Sequence, residues 1–236
     1  MPKDNTGASF AELRRASLEW LREHPGTVQT ILDERDSCTA EEVREWEARH
    51  GQYLPDDVKE FYFLTNGLSI KWDVVAHGRE VMPLGHVAIN SLQQLLPTDH
   101  SVLRNERDEL RPELQECAAA SGLRAFTLDH TCETGRVLLL LGKEGPNAFR
   151  RAQVWFQDGS CALSLLANTF SEYFRLLALH LGLPGWQYAY TEAGLDPTCR
   201  QWFRLIAPDR LAPSLSAASP CGSSSGGGSS GGGGGG

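Results

Sequence analysis

The sequence of 236 residues has no long hydrophobic run. Its longest unbroken stretch, residues 137–141, falls far short of the roughly 20 apolar residues a helix needs to cross a bilayer. No membrane partner is expected. Met1-Pro2-Lys3-Asp4-Asn5 lacks the apolar core of a secretory signal, so the expected location is cytoplasmic. Basic charge is scarce: 22 Lys and Arg stand against 30 Asp and Glu, a formal net charge of −8. That balance argues against nucleic acid as a partner, because domains that bind it are mostly basic.

Cysteine is neither dense nor clustered. Cys38, Cys117, Cys132, Cys161, Cys199 and Cys221 lie at least fifteen residues apart. That excludes both the CxxC spacing of a zinc or redox site and the density of a disulfide scaffold. None of the seven histidines forms an HxH or HExxH pattern, and the tightest His/Cys pair, His130-Thr131-Cys132, offers too few ligands for a metal. Phosphate cradles are missing as well. Gly142-Lys143-Glu144-Gly145 fits neither GxxxxGK[ST] nor GxGxxG and reads as a hairpin turn. Gly222-Ser223-Ser224-Ser225-Gly226 matches GxSxG only within a Gly/Ser run, with no strand–turn–helix around it. No catalytic residue, cofactor site or metal site is assigned.

What is present is patterned. Residues 1–60 hold 14 acids and 8 bases, a net −6 that leaves −2 for the rest; this reads as a solvated helical surface. Residues 222–236 are only Gly and Ser and hold 10 of the 24 glycines. Ser9 with Glu12 caps a helix carrying Phe10, Leu13, Ser17, Leu18 and Leu21, which Pro25-Gly26 ends. Thr27, Val28, Thr30 and Ile31 suggest a strand. Thr39 with Glu42 caps a second helix with Val43 and Trp46 inward, ending at His50-Gly51. Pro55 is expected at the first position of a third helix, with Val58, Phe61, Tyr62 and Leu64 buried and Asn66-Gly67 as the break.

The middle of the chain reads as strands. Residues 68–75 alternate with period two, and 81–84, 126–128, 137–141 and 154–156 suggest four more. The unbroken apolar run 137–141 is that of a central strand covered on both faces. Residues 89–96 suggest a short helix begun near Ser91, and 97–121 a polar insertion, partly helical through Leu110 and Leu114. Two helices follow, one through Phe170, Tyr173, Phe174, Leu177 and Leu181, the other opened by Asp196-Pro197 and carrying Trp202, Phe203 and Ile206. The order helices–strands–helices predicts one α+β domain over 9–207 and a disordered Ala/Pro/Ser/Gly-rich tail over 208–236.

One segment is rich in aromatics. Trp186, Tyr188 and Tyr190, with Trp202 downstream, are candidate partner-binding anchors or structural anchors, and the packing role is the expected one.

Several stretches carry a family resemblance. Leu54-Pro55-Asp56-Asp57-Val58-Lys59-Glu60-Phe61-Tyr62, continuing to Thr65-Asn66-Gly67, resembles the "Leu-Pro, acid, helix, Asn-Gly" signature of the SUKH superfamily. That group includes yeast cell-wall assembly regulators and bacterial toxin-immunity proteins. Its fold is a mixed, mainly antiparallel sheet with helices packed around it. Pro83-Leu84-Gly85, Ala88-Ile89-Asn90-Ser91 and Val154-Trp155-Phe156 are similar to a eukaryotic branch, the tubulin polyglutamylase complex subunit 2 proteins. So are the run from His180 to Thr191 and Gln201-Trp202-Phe203. The resemblance implies a non-catalytic scaffold or targeting subunit. Its partners would be a tubulin-tyrosine-ligase-like catalytic subunit and other polyglutamylase subunits, with tubulin met indirectly, at microtubules, centrosome or cilium. The insertion 97–121 departs from that pattern, and so does the Gly/Ser end in place of a Lys/Ser-rich tail. Two other readings stay open: a general SUKH protein-binding module with a different partner, and an enzyme using His130, Cys132 and Glu133.

Overall fold

The computed structural model describes residues 9–75, 80–104, 107, 109–117, 122–142 and 152–208. Its helices and strands follow the order α1 (Phe10–Glu23), β1 (Thr27–Glu34), α2 (Ala40–His50), α3 (Asp56–Leu64), β2 (Leu68–Val75), β3 (Val81–Ile89), β4 (Arg124–Asp129), β5 (Gly135–Leu141), β6 (Gln153–Asp158), β7 (Leu163–Ala167), α4 (Phe170–His180) and α5 (Pro197–Ile206). The class is α+β, as expected. The strands form two sheets, β1-β2-β3 and β4-β5-β6-β7, in which every pairing is antiparallel. The turn beyond Gly142, the GxSxG match, Cys221 and the tail after Pro208 lie outside the described residues.

Local chemistry explains the element ends. Ser9 and Glu12 form a reciprocal capping box on α1, as do Thr39 and Glu42 on α2, and the left-handed Gly51 closes α2. Asp196 caps α5 by accepting from the Thr198 and Cys199 N–H groups, with Pro197 in the first turn. On α3 the helix begins one residue later than expected: Pro55 is the N-cap and Asp56 the first helical residue. Leu64, expected on its buried face, is exposed. It is the last helical residue, directly before the C-cap Thr65.

The run 137–141 is buried on both faces, each face by different material. Val137, Leu139 and Leu141 join the main core, while Leu138 and Leu140 join a second cluster with Val102, Leu103, Leu114, Trp155 and Leu163. The polar insertion is therefore a lid on the outer face of the second sheet. Among its described residues the helical content is two short 3-10 turns, His100–Val102 and Pro112–Cys117. Leu114 is fully buried and Leu110 packs at the margin.

Three segments differ from the sequence reading. The expected helix over 89–96 is the end of β3 followed by one 3-10 turn, Leu92–Gln94, capped by Ser91. Ile89 pairs with Leu68 in the sheet, so too few residues remain before Pro97 for an α-helix. Strand β7 was not expected. It pairs with β6 through a hairpin whose Cys161 sits at φ 66, a position no Gly or Asn marks in the sequence. The aromatic segment is a 3-10 helix, Trp186–Tyr190, entered through a left-handed Gly185.

Two glycines let the C-terminal segment close on the first sheet. A Cβ on Gly85 would fall 2.0 Å from the Trp72 indole nitrogen. Gly182 has φ +65, and a Cβ there would lie 2.3 Å from the His86 backbone. Across this contact the Trp72 indole N–H donates to the Leu181 carbonyl at 2.7 Å, and the His86 N–H to the Gly182 carbonyl at 2.9 Å.

Candidate functional site

The segment 54–67 acts as a joint. Asp57, in the first turn of α3, accepts from the Ser171 N–H at 3.0 Å and Oγ at 3.3 Å. It thereby satisfies a backbone donor that the start of α4 leaves open. Tyr62, fully buried, donates its hydroxyl to the Asn90 carbonyl at 3.0 Å, and its own carbonyl accepts from the Cys38 N–H at 2.8 Å. Asn66 accepts from the Leu92 N–H at 2.8 Å and donates to Gln93 Oε1 at 2.9 Å.

Asn90 is the residue that the sequence reading did not single out as a structural centre. Buried just past β3, it joins the two sheets. Its N–H donates to the Leu128 carbonyl at 2.8 Å, and its amide nitrogen to the Thr127 carbonyl at 2.9 Å. Its amide oxygen accepts from the His130 N–H at 3.3 Å and meets the His130 ring. The Ser91/Gln94 capping box beside it was the signal available in the sequence.

The aromatic segment faces inward. Trp186 is 2% exposed; it stacks on His180 at 4.8 Å between centroids and lies 6.2 Å from Tyr173 and 6.1 Å from Tyr190. His180 in turn meets Phe203 edge-on at 5.4 Å, so the seam between α4 and α5 runs through His180 and Phe203. Trp202 is half-buried and packs at the margin of the main core. Tyr188 donates to the Thr134 carbonyl at 3.1 Å and meets Phe156 at 5.3 Å. The Tyr190 hydroxyl lies 3.0 Å from His180 Nε2.

His130 and Cys132, considered for chemistry, have separate partners. His130 bonds to Asn90, whereas the Cys132 sulfur is near Thr134 Oγ1 at 3.7 Å and the Gln187 amide at 3.6 Å. Burial pushes the Cys132 thiol up, away from the reactive thiolate. Burial likewise raises Cys38 to about 11 and Cys199 to about 12. A small polar cleft of about 160 Å³ contains Ser69, His86, Asn90 and His130. There Ser69 Oγ lies 2.9 Å from His86 Nε2. Burial lowers the His86 pKa more than nearby Asp129 raises it, which favours the neutral ring. Among the described residues no carboxylate hydrogen-bonds to His86, so this pair lacks the orienting group of a catalytic triad. Asp129 turns to Thr131, accepting from its N–H and Oγ1, both at 2.7 Å.

A larger cavity, about 810 Å³, opens at one end of the second sheet. Its walls are the insertion (Ser101, Val102, Arg104, Arg111), the β4–β5 turn (Glu133, Thr134) and the β6–β7 turn (Asp158, Gly159, Cys161). Arg136 and Gln157, register partners on β5 and β6, also line it. No motif connects these residues in the sequence. Among the described residues no group of three His, Cys, Asp or Glu side chains suits a metal, and no helix is long and apolar enough to cross a membrane.

Comparison with known proteins agrees with the signature segment. Residues 37–176 match the SMI1 / KNR4 family (SUKH-1). The rat protein named tubulin polyglutamylase complex subunit 2 is 31% identical over 218 residues, 85% of this chain and 72% of the relative. The human protein of the same name is 31% identical over 220 residues, 86% of this chain and 72% of the relative. The mouse protein is 31% identical over 206 residues, 80% and 68% of the two chains. No solved structure matches. With its Leu54–Gly67 joint, its α+β architecture and these relatives, the chain belongs to the SMI1/KNR4 (SUKH-1) family, alongside the tubulin polyglutamylase complex subunit 2 proteins.

Proposed function

We propose that this chain is a non-catalytic subunit of a tubulin polyglutamylase complex, a scaffold or targeting domain for a tubulin-tyrosine-ligase-like enzyme that carries the ATP-dependent chemistry. The observation that carries the reading is the 31% identity, over most of the chain, to proteins named as subunit 2 of that complex. The geometry supports it: His130, Cys132 and the aromatic segment are engaged in hydrogen bonds and packing that hold the fold. The reading places the folded unit at residues 9–207, with 208–236 as a tail, and locates the protein in the cytoplasm at microtubules, centrosome or cilium. Tubulin is then met through the complex.

Affinity purification of the full chain from ciliated or neuronal cells, followed by mass spectrometry, tests this. A tubulin-tyrosine-ligase-like enzyme recovered with other polyglutamylase subunits is the expected result. Recovery of an unrelated complex with no such ligase refutes the reading and leaves the family assignment standing.

A further inference from the structure

We propose that the cavity beneath the insertion is a binding site for an acidic peptide segment, gripped by Arg104, Arg111 and Arg136. The chain as a whole carries −8, yet three arginines, two from the insertion and one from β5, line this one concavity. Two carboxylates line it as well, Glu133 and Asp158. The Asp158 carboxylate is already engaged: one oxygen accepts from the Ser160 N–H at 2.8 Å, the Ser160 hydroxyl at 2.7 Å and the Ala162 N–H at 2.9 Å. Among the described residues neither Arg111 nor Arg136 forms an ion pair. Arg111 donates from one terminal nitrogen to the Cys161 carbonyl at 2.7 Å, while its Nε is buried without a hydrogen-bond partner. A buried donor left open is costly, and a guanidinium that meets a carboxylate gains charge-assisted bonds.

Size and lining select the class of ligand. A volume of about 810 Å³ is that of a site for several connected groups, far larger than a single phosphate or sulfate ion. Gln157 lines the cavity as well, with an amide that suits a peptide group. Glu133 adds local repulsion that a compact dianion would feel more strongly than carboxylates spaced along a chain. This inference is independent of the subunit reading, since it rests on the cavity alone.

The test is fluorescence anisotropy of a labelled polyglutamate peptide titrated with the full chain, with polyglutamine of the same length as the neutral comparator. Polyglutamate is expected to bind at least about tenfold tighter than polyglutamine. Its affinity should fall about tenfold in Arg136→Glu, an exposed position whose change leaves the melting temperature in place. It should also fall as salt rises from about 50 to about 300 mM. Equal binding of the two peptides overturns the proposal. So does a polyglutamate affinity unchanged in both Arg136→Glu and Arg104→Glu. Complete displacement by millimolar inorganic phosphate overturns the peptide class, because it shows a small-anion site. Purification of Arg136→Glu with its cellular partners separates the two readings: unchanged partners alongside lost peptide binding mean that the cavity and the assembly surface are distinct.

Discussion

Replacing Trp186 with alanine tests whether the aromatic segment is a pillar of the fold. The indole is 2% exposed, stacked on His180 at 4.8 Å and flanked by Tyr173 and Tyr190. Truncating a fully buried Trp costs about 3–5 kcal/mol in lost transfer energy and residual cavity, and the stacked ring contact adds about 1 kcal/mol. For a folded unit of this size each kcal/mol moves the melting temperature by about 2–4 °C, so Trp186→Ala should melt about 10 °C or more below wild type. Trp202 is only half-buried; its loss should cost about 1–2 kcal/mol, a shift of about 3–6 °C. Circular dichroism melts, checked by urea titration with an unchanged m-value, measure both. Trp186→Phe should recover part of the loss, because a ring still fills the space over His180. Melts of Trp186→Ala unchanged from wild type would refute the packing argument and return Trp186 to the role of a binding anchor.

Two other substitutions probe the joints. Asp129 is 6% exposed, and burial raises its carboxyl pKa above the ordinary range against the opposing hydrogen bonds from Thr131. A raised folded pKa means that the native state holds its proton to higher pH than the unfolded chain. This group therefore subtracts stability as pH climbs through and above the ordinary carboxyl range. Asp129→Asn keeps an acceptor for Thr131 and removes that penalty. It should melt above wild type at pH 7, with the difference shrinking as the pH falls toward the ordinary carboxyl pKa; a melt below wild type at pH 7 contradicts the assignment. Gly182→Ala places a methyl 2.3 Å from the His86 backbone at φ +65, and a loss of about 3 kcal/mol or more is expected by urea titration.

The geometry divides the family signature into parts with separate tasks. Asp57 ties α3 to α4, Tyr62 ties it to Asn90, and Asn66 fixes the turn after β3. Asn90 then spans the gap to the second sheet. A resemblance carried by these residues is thus a resemblance of scaffold. It specifies which fold is built and leaves the binding surface to segments outside the joint, among them the insertion and the cavity it covers.

What the sequence by itself determined is whatever depends on near neighbours. Capping pairs such as Ser9/Glu12 and Thr39/Glu42 act across three residues, and the alternation of Leu68, Ile70, Trp72 and Val74 acts across two. The starts of α1 and α2 and strand β2 are therefore legible, and the stretch 54–67 with the run from His180 to Thr191 is long enough to reveal the family. Tertiary structure decided the rest. Ile89 became strand because Leu68 lay opposite it, although its own neighbours suited a helix. Strand β7 formed because β6 offered an edge. The polar insertion earned burial for Leu114 only because Leu138 and Leu140 needed cover. Arg104, Arg111 and Arg136 met around one cavity through sheet register and lid placement. Contacts between residues far apart in the chain carry no periodicity or spacing, so no local pattern could announce them.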